Sequence, residues 1–161
     1  MRYIPAEHQK AINERLKTAS IIVFAFCFSV GVFALLMGRF IMPLEVVPGS
    51  ERFTAVIPAV VIVLATSAIV LRRVWMSAFV MKMAARAGAP ATLNRLMLMT
   101  IVCAALSELV AIVGFAFYLL TGNYKYSLTL CLVSLLLLFY TAFPRRGEWA
   151  RAVADAANAK A

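Results

Sequence analysis

The chain has 161 residues, of which 64% are apolar, and its 16 Lys and Arg against 7 Asp and Glu leave a net charge of +9. Ordinary soluble domains are about 45–50% apolar, so this composition points to a membrane protein, and the length leaves room for one helical membrane domain. The positive charge is not read as a nucleic-acid footprint, because Lys and Arg gather in three patches between apolar runs, as they do in cytoplasmic segments.

The chain opens on a polar, helix-compatible stretch, "PAEHQKAINERLK", which leads into the first apolar run at 18–38. A span needs roughly 20 apolar residues to cross about 30 Å of hydrocarbon. Without a small-x-small cleavage pattern, this run is expected to stay in the protein as an anchor. The second run, 53–71, is stopped by Arg72 and Arg73, and it carries Pro58 in its first turns, where few helical bonds are lost. The third, 96–120, is ended by the turn "TGN". The fourth, 126–143, is closed by Pro144, Arg145 and Arg146. The expectation is therefore an all-α, polytopic fold with four transmembrane helices, a connection at 72–95 and a tail at 144–161.

Direction follows from the basic residues. Arg2, Lys10, Arg15 and Lys17 flank the start; Arg72, Arg73, Lys82, Arg86 and Arg95 fill the central connection; Arg145, Arg146, Arg151 and Lys160 lie in the tail. The other connections hold only Arg39 and Arg52, and Lys125. The positive-inside rule then places both termini and the central connection in the cytoplasm. A compact four-span design suggests a bacterial inner (plasma) membrane.

The central "VWMSAFVMKMAARAG" is too apolar for a free loop. Trp75, Phe79 and Met83 recur every four residues, as do Lys82 and Arg86. The pattern predicts that the second helix continues past the membrane surface and lies along the interface, ending near Gly88 and Pro90. In the tail, "GEWARAVADAANAKA" predicts a short helix with Trp149 at the interface. A faint internal echo joins the two halves: each begins at an Arg-Leu pair, Arg15-Leu16 and Arg95-Leu96, and ends on a double arginine followed by Trp75 or Trp149.

Chemistry-bearing residues are few. Cys27, Cys103 and Cys131 stand alone in apolar runs, and His8 is the only histidine, so neither a disulfide framework nor a metal site is expected. With no Ser/His or paired-carboxylate arrangement and no glycine-rich phosphate loop, the chain is read as a non-enzyme without cofactor. Glu108 is the exception. It is the thirteenth of the 25 residues of the third run, and no Lys or Arg lies within any of the four runs to pair with it. An ionisable group at that depth costs roughly 3 kcal/mol or more and is by default a functional-site hypothesis. Ala104, Ser107, Ala111 and Gly114 form a small-residue stripe beside it, a surface that lets helices approach closely in lipid. Ser29 of the first span and Ser134 of the fourth reach a similar depth and are candidate hydrogen-bond partners.

The stretch "AARAGAP…NRLMLMTIVCAALSELVAIVGFAFYLL", within 84–120, resembles the ring-forming proteolipid, subunit c, of rotary ATP synthases. The matching elements are Arg86 and Pro90 in the loop, then Ala104, Ala105, Leu106, Ser107 and Glu108, then Ala111, Ile112 and Gly114. The resemblance implies that Glu108 is a proton-binding carboxylate on an outbound helix. It is not carried to rotary coupling, since the family's inbound helix has a glycine repeat and the second run here has no glycine. Three functions are thus in view: a non-catalytic, self-associating or complex-bound membrane subunit that binds a proton; a structural or assembly scaffold in which Glu108 only packs; and a small proton-coupled exporter. The expected partners are the lipid bilayer and other membrane subunits or further copies of the chain.

Overall fold

A computed structural model of the chain describes residues 6–39 and 51–158. Arg2, Lys160 and most of the first connection lie outside the described residues. Among those described there are no strands. Helix α1 covers Ala6–Arg39, α2 Glu51–Trp75, α3 Ala78–Ala87, α4 Ala89–Thr121, α5 Tyr124–Leu137 and α6 Arg146–Asn158, with a π-helical turn at Leu138–Ala142 after α5. Four stretches are long and apolar enough to cross a membrane: 9–39, 55–75, 89–121 and the run that starts at Tyr124.

The most apolar helix, α4, is the axis of the bundle, and every other helix packs on it. Its buried face, from Leu93 and Leu96 through Met99, Cys103, Ala104 and Ala111 to Tyr118, recurs every three or four residues and forms the main core with Val23, Val30 and Met37 of α1. Phe33 of α1 stacks on Phe115 of α4, with centroids 5.4 Å apart. Cys103 of α4 meets Ala68 of α2, and Phe117 meets Ile57 nearer the opposite end. The α2 pairs make α2 antiparallel to α4, and the Phe33–Phe115 pair, with Gly38 of α1 beside Tyr124 just past the end of α4, makes α1 parallel to it. The start of α1, the end of α2, the start of α4 and the end of α5 therefore share one end of the bundle, together with α3 and α6. Two glycines with positive φ mark the limits of α4: Gly88 (φ 101°) separates it from α3, and Gly122 (φ 66°) caps its end with an N–H to the Tyr118 carbonyl. Asn123 then caps α5 by accepting from the Tyr126 N–H at 3.2 Å.

Two expectations need correction. The second helix does not run on to Gly88: it stops at Trp75, and the extended Ser77 (ψ 146°) redirects the chain into the separate α3. That break turns Ala84 and Ala85, both buried, inward at a point where α3 packs on α4 and α6. Trp149 is not an interface residue but is 1% exposed, because α6 folds back across α3, α4 and α1 and buries its Trp149, Val153 and Ala156 face there. An indole of that size closes the end of the bundle better than any aliphatic side chain.

The order long helix, long helix, short helix occurs twice, as α1–α2–α3 and α4–α5–α6. Packing does not follow the repeat. Helices α4 and α5 are in intimate contact, whereas among the described residues α1 and α2 make no comparable contact with one another.

Candidate functional site

The middle of the bundle is organised around the small-residue stripe of α4. Ala104, Ser107, Ala111 and Gly114 are all buried. A Cβ added at Gly114 would come within 2.8 Å of Leu130 Cβ and 3.3 Å of the Ser127 carbonyl, so α5 lies directly against the bare glycine backbone. Two turns of α4 nearer the basic end, hydroxyl bonds join α4 to α5 and the π turn. Ser134 donates to the Ser107 carbonyl at 2.7 Å, and Ser107 Oγ lies 3.2 Å from Thr141 Oγ1 in the π turn. Ser107 Oγ also reaches the Cys103 carbonyl at 2.8 Å, and Thr141 Oγ1 the Leu137 carbonyl at 2.7 Å. Each hydroxyl has one proton, so Ser107 and Thr141 share two protons among two backbone carbonyls and each other.

The π turn has a local cause and a distant remedy. An α-helical carbonyl accepts from the N–H four residues on, and for Tyr140 that residue is Pro144, which has none. The ladder slips, with Phe143 N–H bonding the Leu138 carbonyl, five residues back. The Arg72 guanidinium at the end of α2 donates to the Tyr140 carbonyl through Nη1 and, through Nη2, to Glu148 of α6 at 3.1 Å. Arg145 completes the cluster at 3.5 Å from the same carboxylate. The side chain of Arg72 is only 12% exposed, although its partners are more open to solvent, and this latch ties α2, the π turn and α6 together at the basic end.

Glu108 follows Ser107 in the chain and so points about 100° around α4 from the hydroxyl network. It shares a helical face with Phe115, seven residues on, which packs on α1, and with Ile112, four residues on, which is exposed. Leu98, Leu109, Ile112 and Leu119 are likewise exposed and mark the open side of α4 between α1 and α2. The carboxylate is half-buried at the edge of that open side, and it makes no hydrogen bond or ion pair with a described residue. Neither candidate hydroxyl is joined to it. The Ser134 proton goes to the Ser107 carbonyl, and Ser29 is level with Ala111 by the Phe33–Phe115 register, three residues beyond Glu108 along parallel helices. The side chain of a helical residue leans toward its N-terminus, which takes the Glu108 carboxyl away from Ser29. Sequence reasoning missed Thr141 and Arg72 as organising residues. The signal for both was Pro144, whose missing N–H orphans a carbonyl one turn earlier.

The helices define the class: a small multi-pass membrane protein, by the length and composition of its four apolar helices. Among the described residues no group of His, Cys, Asp and Glu could hold a metal ion. A comparison with protein families, with curated proteins and with solved structures finds no match to this chain.

Proposed function

We propose that this chain is a non-catalytic membrane subunit, self-associating or built into a larger complex, in which Glu108 binds a proton on the face used for association. The observation that carries this reading is the position of Glu108. It is in the middle of the central helix, half-buried at the edge of the side of α4 that α1 and α2 leave open, and no basic residue in any of the four apolar runs can neutralise it. A carboxyl group that carries a proton can both donate and accept across a helix contact. The resemblance to subunit c over 84–120 supports the same role for this residue. The concentration of Lys and Arg at one end of the bundle supports cytoplasmic termini, and the compact four-span design suggests a bacterial inner membrane as the setting.

A second reading, an assembly scaffold in which Glu108 only packs, draws on the same open face. One experiment separates the two. Membranes are treated with a hydrophobic carbodiimide, which reacts with protonated carboxyls, and the adduct is mapped by mass spectrometry across a pH series. Proton binding predicts selective labelling of Glu108 that falls as the pH is raised, and loss of activity or assembly in Glu108→Gln. No labelling at any pH, with assembly unchanged in that variant, refutes it.

A further inference from the structure

Helix α3 presents an unusual outward face. Phe79 is 73% and Met83 57% exposed, while Ala84 and Ala85 on the opposite side are buried against the bundle. Lys82 and Arg86 are exposed too. Positions 79, 82, 83 and 86 follow the i, i+3, i+4, i+7 spacing of a single helical face, so a benzyl ring, a thioether and two cations stand side by side and point away from the protein. Neither Lys82 nor Arg86 makes an ion pair or hydrogen bond with a described residue. A water-facing surface has no use for the two large apolar groups, and a hydrocarbon-facing one has none for the cations. Both are accommodated only at the boundary between headgroups and acyl chains, where long basic side chains extend toward phosphate while their stems stay in the apolar layer.

The position of α3 agrees. It starts three residues after α2, one of the spanning helices, has ended, and it lies at the end of the bundle that collects most of the positive charge. At the same end Arg95 has its Nε buried without a hydrogen-bond partner, so protein anions do not satisfy all the cations there.

We propose that α3 is a lipid-surface helix that seats Phe79 and Met83 among the acyl chains of an anionic leaflet and holds headgroup phosphates with Lys82 and Arg86. The break at Ser77 is what allows it: a continuous α2 would carry these residues out into water. This role is independent of Glu108.

The test uses the full chain in lipid nanodiscs of phosphatidylcholine with a minor fraction of phosphatidylglycerol. Phe79→Trp adds an indole whose emission is read as the difference from the parent chain, and bromine atoms high on the acyl chains of one lipid or the other act as quenchers. The expected result is quenching by both lipids, with brominated phosphatidylglycerol quenching well beyond its share of the lipid. Each juxtamembrane cation contributes about five-fold to the preference for an anionic surface. Lys82→Gln with Arg86→Gln is therefore expected to cut it by up to about thirty-fold. Oxidation of Met83 by hydroxyl radicals in the unaltered chain supplies a second reading: slow in these discs, faster in the double variant. An indole that no brominated lipid quenches, as a water-facing helix or one docked on a soluble acidic partner would give, overturns the proposal. So does quenching with no preference between the two lipids, or a Met83 oxidation rate that the double variant leaves unchanged.

Discussion

Replacing Gly114 with Ala tests how closely α4 and α5 must approach. The added methyl would sit 2.8 Å from Leu130 Cβ and 3.3 Å from a backbone carbonyl, and neither is the free end of a flexible side chain. Carbon atoms are at optimal separation at about 3.5–4.0 Å, so α5 must retreat by about 0.7 Å or more. The same retreat lengthens the 2.7 Å bond from Ser134 to the Ser107 carbonyl and the 3.2 Å Ser107–Thr141 contact, taking both out of good hydrogen-bonding range. Overpacking costs about 1–3 kcal/mol, and each interhelical hydrogen bond in a membrane protein contributes about 0.6 kcal/mol. Against these stands a gain of up to about 1 kcal/mol for Ala over Gly inside a helix. The balance is a net loss of about 1–3 kcal/mol. Gly31 of α1 is the internal control, because nothing lies within 4 Å of an added Cβ there. Gly31→Ala should be neutral or stabilising. Denaturant titration of both variants in mixed micelles, with circular dichroism as the readout, should move their midpoints in opposite directions. A Gly114→Ala protein as stable as Gly31→Ala would refute the close-contact reasoning.

The latch at the basic end makes a second prediction. Arg72→Met leaves the Tyr140 carbonyl without its side-chain donor and Glu148 with Arg145 alone; at this part-exposed site the lost hydrogen bonds cost about 0.5–1.5 kcal/mol, and thermal unfolding in detergent should show the loss. Arg72→Lys should restore only part of it, since one ammonium cannot reproduce the forked geometry that spans carbonyl and carboxylate. Trp149→Ala should cost about 3–5 kcal/mol, because the indole is 1% exposed at the meeting of α6 with the bundle. Faster proteolysis of the tail is its expected signature, whereas a tryptophan lying in the bilayer interface would leave the tail as resistant as before.

Much of the architecture follows from the sequence alone, since the cost of unpaired backbone in hydrocarbon forces every sufficiently long apolar run into a helix. The runs at 18–38, 53–71 and 96–120 lie in helices, the run at 126–143 is helical as far as Ala142, and "TGN" does end a helix: glycine takes the left-handed conformation at Gly122, and the Asn123 side chain starts the next. The small stripe on α4 and the lone carboxylate were legible in the same way, because identity and spacing are local properties. What faces what was not. Whether α2 bends at Ser77, whether Trp149 lies in the interface or under α6, and which hydroxyls meet across α4 and α5 depend on contacts between residues far apart in the chain. Apolar helices of similar composition carry almost no information about their neighbours. Only the packed structure decided that Ser134 and Thr141 serve Ser107 while Glu108 lies at the edge of the side that α1 and α2 leave open. The reason is geometric: α5 is drawn against α4 at Gly114, where the absence of one methyl group lets two backbones meet, and that contact sets which face of the central helix remains uncovered.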